Sequence, residues 1–381
     1  MICYNVSMKR QRLMTLGSPN SHHTGGLYAV QNAPHAAEFF TRRVNAFGRL
    51  LIIVMATIVI GSLVGAAAAQ DGVRQGSSET SEAKTSKDVK TDSDLFLVVL
   101  GIAQDAGYPQ AGCQKSCCEA VKKDPSLKRF VTSLAVVDAK NKQRFIFDCS
   151  PDFREQLSLL DEIAVPEKFP GLTGMFLTHA HIGHYTGLMH LGHEAMGCKS
   201  VPVYAMPRME SFLKTNGPWS QLVKLKNIKL EQLSDQKTVK LNERISVTPF
   251  LVPHRDEFSE TVGFRISTAS KTIAYLPDID KWSKWDQSIE ELIKSVDLAF
   301  LDGSFFANGE IPGRDMSIIP HPFVSESINR FASLDLEHRK RVRFIHLNHT
   351  NPALQAGSAA TRQIEKAGMR VAVQGEVVDL R

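Results

Sequence analysis

The chain has 381 residues, 43% hydrophobic and 22% charged, a globular balance that excludes a fully disordered, collagen-like or polytopic membrane protein. Its formal net charge is +5. Residues 1–69 hold six basic side chains (Lys9, Arg10, Arg12, Arg42, Arg43 and Arg49) against one acid, Glu38, so the remainder is balanced and no nucleic-acid partner is expected.

Leu50 to Ala69 reads LLIIVMATIVIGSLVGAAAA, twenty residues without a charge, preceded by Arg42, Arg43 and Arg49. Ala67-Ala68-Ala69 gives a small-x-small pattern just before Gln70. This predicts an export signal cleaved near residue 69, or an uncleaved anchor touching the membrane through residues 50–69. Either way the folded body is expected outside the cytoplasm, periplasmic or extracellular, or anchored there. Residues 70–93 carry only Val73 and Val89 as apolar side chains larger than Ala. Such a stretch buries too little to offset ordering entropy and reads as a flexible linker. The body is then residues 94–381, a single domain.

Within the body, Leu95–Gly101 is a continuous apolar run, as expected of a strand buried on both faces. Phe130–Asp138 and Arg144–Asp148 read as a hairpin, and Pro151–Leu160 as a helix. Gly171–Thr178 is a strand, followed by a helix predicted over Gly183–Gly197. Strands are predicted at Val201–Ala205, Ile245–Val252, Thr261–Ser267, Thr272–Leu276, Val296–Leu301, Arg343–Leu347 and Val371–Val378. Helices are predicted at Trp282–Lys294 and Ser358–Ala367. Helices interleaved with mixed strands indicate an α/β protein, either two sheets with helices outside or a doubly wound sheet.

The sharpest chemical signal is Thr178-His179-Ala180-His181-Ile182-Gly183-His184. On an extended chain His179 and His181 point to one side. A turn into a helix near Gly183 returns His184 to the same cavity, and three converging imidazoles suit Zn²⁺ or Fe²⁺. His190 and His193 follow on the same predicted helix and read as solvated or capping residues. Further polar residues close apolar runs: Asp148 after RFIF, His254 after Val252-Pro253, Asp278 after AYLP, and His346 after Phe344-Ile345. Each would surface at the rim of a buried sheet, where α/β proteins collect their sites. His321, in IIPHPF, reads as a loop histidine before a helix, or else as one that reaches the pocket mouth.

Cys113, Cys117 and Cys118 fall within six residues. Adjacent cysteines bond poorly to each other, so the cluster suits tetrahedral Zn²⁺ with a fourth ligand, against reduced or otherwise paired thiols. Cys149 and Cys198 read as buried thiols.

The order Asp148, His179-x-His181-x-x-His184, His254, Asp278, His346 resembles the metallo-β-lactamase-fold superfamily, an αββα sandwich. FLVPHRDEFSETVGFRISTASKTIAYLPDID resembles its ribonuclease Z and phosphodiesterase branch. GIAQDAGYPQAGC, FLDGSFF and FIHLNHTNP resemble the pyrroloquinoline quinone biosynthesis protein B family. This resemblance implies that His179, His181 and His254 hold one metal, that Asp278 bridges, and that His184 and His346 hold a second. Asp278, His184 and Asp148 would form the catalytic apparatus, with Asp148 orienting a ligand histidine. It also implies structural zinc on Cys113, Cys117 or Cys118, and His349. The superfamily motif has an acid before its last histidine, where this chain has Gly183. The second position would therefore lack an oxygen donor and be weak or empty.

The function so implied is a metal-dependent hydrolase of a small-molecule or peptide-derived substrate, with Zn²⁺ at the active centre and Fe²⁺ or Mn²⁺ as alternatives. Two other readings stand beside it. One is an iron-dependent oxidative step in quinone biosynthesis, and the other a non-catalytic metal-dependent carrier of the quinone or its precursor.

Overall fold

The structure, a computed structural model, describes residues 93–381. The expected export segment (1–69) and all of the expected linker except Ser93 lie outside the described residues. Among the described residues no helix is long and apolar enough to cross a membrane.

Two seven-stranded sheets form the body. The first contains β1 (Leu95–Gly101), β2 (Ser133–Asp138), β3 (Gln143–Phe147), β4 (Gly174–Phe176), β5 (Val201–Ala205) and β6 (Ile228–Gln232) in sequential order. The second contains β7 (Val239–Lys240), β8 (Ser246–Leu251), β9 (Val262–Ser267), β10 (Thr272–Leu276), β11 (Leu298–Asp302), β12 (Val342–Ile345) and β13 (Arg370–Val371). The chain then returns as β14 (Val377–Asp379) to pair antiparallel with β1. The apolar run Val371–Val378, expected as one strand, is thus split between the two sheets. Gly375 interrupts it at a φ of +84°, which glycine adopts freely.

Alternation in β1 explains the layering. Leu95, Leu97 and Val99 enter the core shared with Phe264, Tyr275 and Phe300 of the second sheet. Phe96, Val98 and Leu100 pack on the other face with Phe153 and Leu160 of a helix over Phe153–Ile163. All seven β1 residues are buried, and burying each Val, Leu or Phe side chain contributes about 1.5–3 kcal/mol. The outer face of the second sheet is covered by helices at Ile289–Lys294, Val324–Phe331 and Ala359–Lys366, which add Ile289, Phe331 and Ile364 to the core. The result is the expected α/β/β/α sandwich.

Strand direction positions the site. β1 and β3 are each antiparallel to β2, and β4 is parallel to β3, so β1, β3 and β4 run the same way. β8 and β10 are each antiparallel to β9, while β11 and β12 are parallel to β10. Each sheet therefore presents several carboxyl ends together at one edge, where α/β sheets place their ligands.

Candidate metal centre

The residues at those carboxyl ends are Asp105 after β1, Asp148 after β3, His179 and His181 after β4, His254 after β8, Asp278 after β10, Asp302 closing β11 and His346 after β12. Asp148 and His346 have φ of +64° and +65°. This left-handed conformation is uncommon outside glycine and is held where surroundings over-determine it. The segment after His181 differs from the long helix expected. It is a four-residue turn, Ile182–Tyr185, followed by a 3₁₀ segment, Thr186–Leu191. Its backbone is tied sideways to the end of β3, Cys149 N–H donating to His184 O and Gly187 N–H to Cys149 O at 2.9 Å each. Those bonds replace the continued helical ladder.

The expected ligands are brought together in two adjoining sets. His179, His181, His254 and Asp278 form one, and His184 and His346 join Asp105 in the other. Asp278 Oδ2 lies between them, 3.3 and 3.2 Å from Nε2 of His179 and His254, and 3.8 and 3.9 Å from Nε2 of His184 and His346. His181 lies with Nδ1 2.8 Å from His179 Nε2 and Nε2 3.0 Å from Glu257 Oε2.

Four of these imidazoles are fixed from behind. His184 Nδ1–H donates to Asp148 at 2.8 Å and His254 Nδ1–H to Asp280 at 3.2 Å. Thr178 Oγ1 donates to Asp148 and accepts from His179 Nδ1–H at 3.0 Å. Ser304 Oγ donates to Asp302 and accepts from His346 Nδ1–H at 2.9 Å. With Nδ1 protonated, each Nε2 lone pair points inward, the arrangement in which metal-ligating histidines are held.

Burial opposes charge on His184, yet the carboxylates of Asp148 and Asp105 outweigh it and raise its pKa to about 10. Burial likewise opposes charge on His254, which Asp278 and Asp280 raise to about 9. His179 is driven well below the usual range, chiefly by burial. Burial disfavours ionised Asp278, but His254, His321 and His346 hold it well below the carboxylate range. Asp105 Oδ1 and Nε2 of His184, His254 and His346 are buried and make no hydrogen bond. Buried polar atoms are almost always paired, so four unmet atoms facing buried carboxylates fit a divalent cation.

Two expectations are corrected. Gly183 does not leave the second set without an oxygen donor, because Asp105 Oδ1 lies 3.4 Å from His184 Nε2 and 3.7 Å from His346 Nε2. His321 sits in the loop before the helix Val324–Phe331, as expected, but is buried beside the centre rather than set at the mouth. It is 5% exposed, with Nδ1 2.8 Å from Asp302 Oδ2 and 3.1 Å from Asp278 Oδ1. Sequence reasoning missed both Asp105 and Asp302. Asp302 did carry a signal, since it closes the apolar run LAFL. His190 stacks on Phe153, and His193 is exposed; neither joins a metal-binding group among the described residues.

A second cluster gathers Cys113, Cys117, Cys118 and His349. Cys117 and Cys118 lie in the first turn of the helix Ser116–Lys123, and the structure brings both thiols into the set. His349 Nδ1–H donates to Asn348 Oδ1 at 2.8 Å, freeing Nε2. Burial pushes the Cys118 thiol up to about 12 and raises Cys117, whereas at Cys113 burial is outweighed by hydrogen bonds from the Lys115 backbone and the neighbouring thiols, which lower it; a bound cation would draw all three towards thiolate. The five described cysteines are all free of disulfides, with Cys149 and Cys198 buried.

Comparison with known proteins agrees with this architecture. Coenzyme PQQ synthesis protein B of Rhodopseudomonas palustris (strain TIE-1) is 26% identical over 321 residues, covering 75% of this chain and 100% of that protein. The corresponding protein of Rhizobium meliloti (strain 1021) is 25% identical, over 76% of this chain and 99% of that one. Among solved structures, Zn²⁺-bound PqqB from Methylobacterium extorquens superposes with a TM-score of 0.64 at 23% identity, over 75% of this chain and 100% of that one. A diphosphatase of the PhnP family gives 0.52 at 23% identity, over 74% and 96%. The sequence signature of the beta-lactamase superfamily domain spans residues 143–372, from β3 to the residue after β13. With its two sheets, its strand-end ligands and that signature, this chain belongs to the beta-lactamase superfamily.

Proposed function

We propose that the protein is a metal-dependent hydrolase acting on a small or peptide-derived substrate. The observation that carries this reading is the set of four buried ligand atoms without hydrogen bonds around Asp278. His179, His181, His254 and Asp278 would hold one cation, and Asp278, His184 and His346 would help hold a second. Cations held there supply Lewis acidity, which polarises a substrate oxygen and makes water nucleophilic near neutral pH. The protein's own part is positional. Asp148, Thr178, Asp280 and Ser304 keep the protons on the outer nitrogens of four histidines. His321 donates its Nδ1–H towards Asp302 and Asp278, which fixes the ring and leaves Nε2 as the nitrogen that would carry a proton for a leaving group. Zn²⁺ suits the imidazole-rich first set and the thiols of the Cys113 cluster.

One specific observation favours a second reading. Asp105, His184 and His346 form a set of two imidazoles and one carboxylate, a donor set that suits Fe²⁺ in oxidative chemistry. Together with the similarity to coenzyme PQQ synthesis protein B, this supports an oxidative step on a peptide-derived quinone precursor. The two are separated by reconstituting the full-length protein with Zn²⁺, Mn²⁺ or Fe²⁺. Hydrolysis of a phosphodiester or diphosphate panel with Zn²⁺ or Mn²⁺ supports the first. Oxygen uptake only with Fe²⁺ and a precursor peptide overturns it in favour of the second. Binding without turnover under all conditions would leave a carrier. We further propose that residues 1–69 deliver the body out of the cytoplasm.

A further inference from the structure

The motif residue Gly183 and the loop residue Asp105 are 78 positions apart in the sequence yet occupy one space. A Cβ built on Gly183 would lie 2.1 Å from Asp105 Oδ1, 2.7 Å from Asp105 Cα and 2.9 Å from its Cγ. Contacts below 3 Å with a backbone atom cannot be relieved by turning a side chain. Gly183 is therefore a steric vacancy that the other loop fills, and any side chain there would expel Asp105.

What fills it has a ligand's geometry. Asp105 Oδ1 is 3.4 Å from His184 Nε2 and 3.7 Å from His346 Nε2, and none of the three atoms makes a hydrogen bond. Two ligands about 2.1 Å from a tetrahedral ion stand about 3.4 Å apart, so the spacing matches donors sharing one cation. The loop is also fixed. Gln104 N–H donates to Leu347 O and Leu347 N–H to Ile102 O, each at 2.8 Å, and Gly107 N–H closes a turn onto Gln104 O. The backbone on either side of Asp105 is thereby tied to the chain that carries His346.

We infer that Asp105 is the anionic oxygen ligand of the second cation position, transposed from the motif site to the β1 loop, and that Gly183 is its obligatory complement. This rests on reading the centre as a two-cation site. The exchange makes the two residues a matched pair: acid at 105 with glycine at 183, or the reverse.

The test is metal stoichiometry and titration on the full-length protein, with Zn²⁺ or Co²⁺ as probe, beside thermal melting. Asp105→Ala and the same-sized Asp105→Asn are expected to bind one cation fewer per chain, with affinity for the second position down more than about 100-fold, above the loss an outer-sphere change causes. Gly183→Asp alone should also lower occupancy, because it displaces Asp105. The double variant Asp105→Gly with Gly183→Asp should recover the missing cation. Wild-type stoichiometry and affinity in both Asp105 variants would overturn the assignment while leaving the two-cation reading intact. A folded double variant that does not recover the cation would overturn the exchange. A wild-type protein binding nothing beyond the Cys113 cluster would overturn the two-cation reading itself, and this proposal with it.

Discussion

Replacing Asp148 by Asn removes a charge and almost no volume. The left-handed backbone at φ +64° tolerates either residue, so the effect reports on charge and hydrogen bonding without added backbone strain. Asp148 is fully buried. Its Oδ1 accepts from Thr178 N–H and Oγ1 at 2.9 Å each, while its Oδ2 accepts from His184 Nδ1 at 2.8 Å and Tyr275 Oη at 3.0 Å. An amide has one acceptor end. The Thr178 backbone N–H cannot reverse its polarity, so the amide oxygen should face it and the NH₂ group should face His184. His184 then accepts at Nδ1 and carries its proton on Nε2, the atom aimed at the second cation position. Binding a cation there requires returning that proton and leaving a buried donor unmet, at about 1–3 kcal/mol, or about 5- to 150-fold in affinity. Competition titration against a chromophoric chelator, with the melting curve as a fold control, reads this directly. A folded Asp148→Asn protein whose second-site affinity stays within about twofold of wild type would refute the orienting role of Asp148.

Other outcomes follow from features away from the centre. Arg244 donates to buried Asp138 at 2.7 Å and to Asp94 at 2.8 Å; Arg244→Met should cost about 2–4 kcal/mol in chemical denaturation, softened by the Asn141 and Asn242 amides that also reach Asp138. A loss below about 0.5 kcal/mol would refute this. Cys118→Ala should lower the melting temperature of metal-replete protein by roughly 6 °C or more, since one ligand of four is a sizeable share of the ~10–16 kcal/mol structural zinc can supply; an unchanged melting point would sink the structural-zinc reading. Native protein isolated from its source should give an intact mass lacking residues 1–69, or should partition with membrane; full-length material soluble in the cytoplasm would refute export.

Local patterns made much of the molecule legible. The β1 run, the strands ending in Asp148, Asp278 and His346, and the His179–His184 spacing are contiguous signals, and the structure places those residues at one edge. What stayed hidden was created by convergence. Asp105 sits between Gln104 and Ala106 in a loop without periodicity, and nothing local shows that it fills the space Gly183 leaves. The Asp302–His321 contact at 2.8 Å joins residues whose partner is set by the β11 register and a following loop. The long helix expected after His181 failed because tertiary bonds to Cys149 outcompeted helical ones, a contest that propensity does not record.

The two ligand clusters share their connecting chain. Asp105 and Cys113 lie on one loop, His346 and His349 on the other, and Tyr108 Oη bonds Cys117 O at 2.9 Å between them. A cation on the thiols would therefore act as a rivet for the arm that carries Asp105. Cys117 is the most exposed of the three thiols, so oxidation there would reach the centre without any oxidisable thiol among its ligands. Under graded peroxide, release of the thiol-bound cation should precede release from the His/Asp centre; the reverse order would show that the two clusters are mechanically independent.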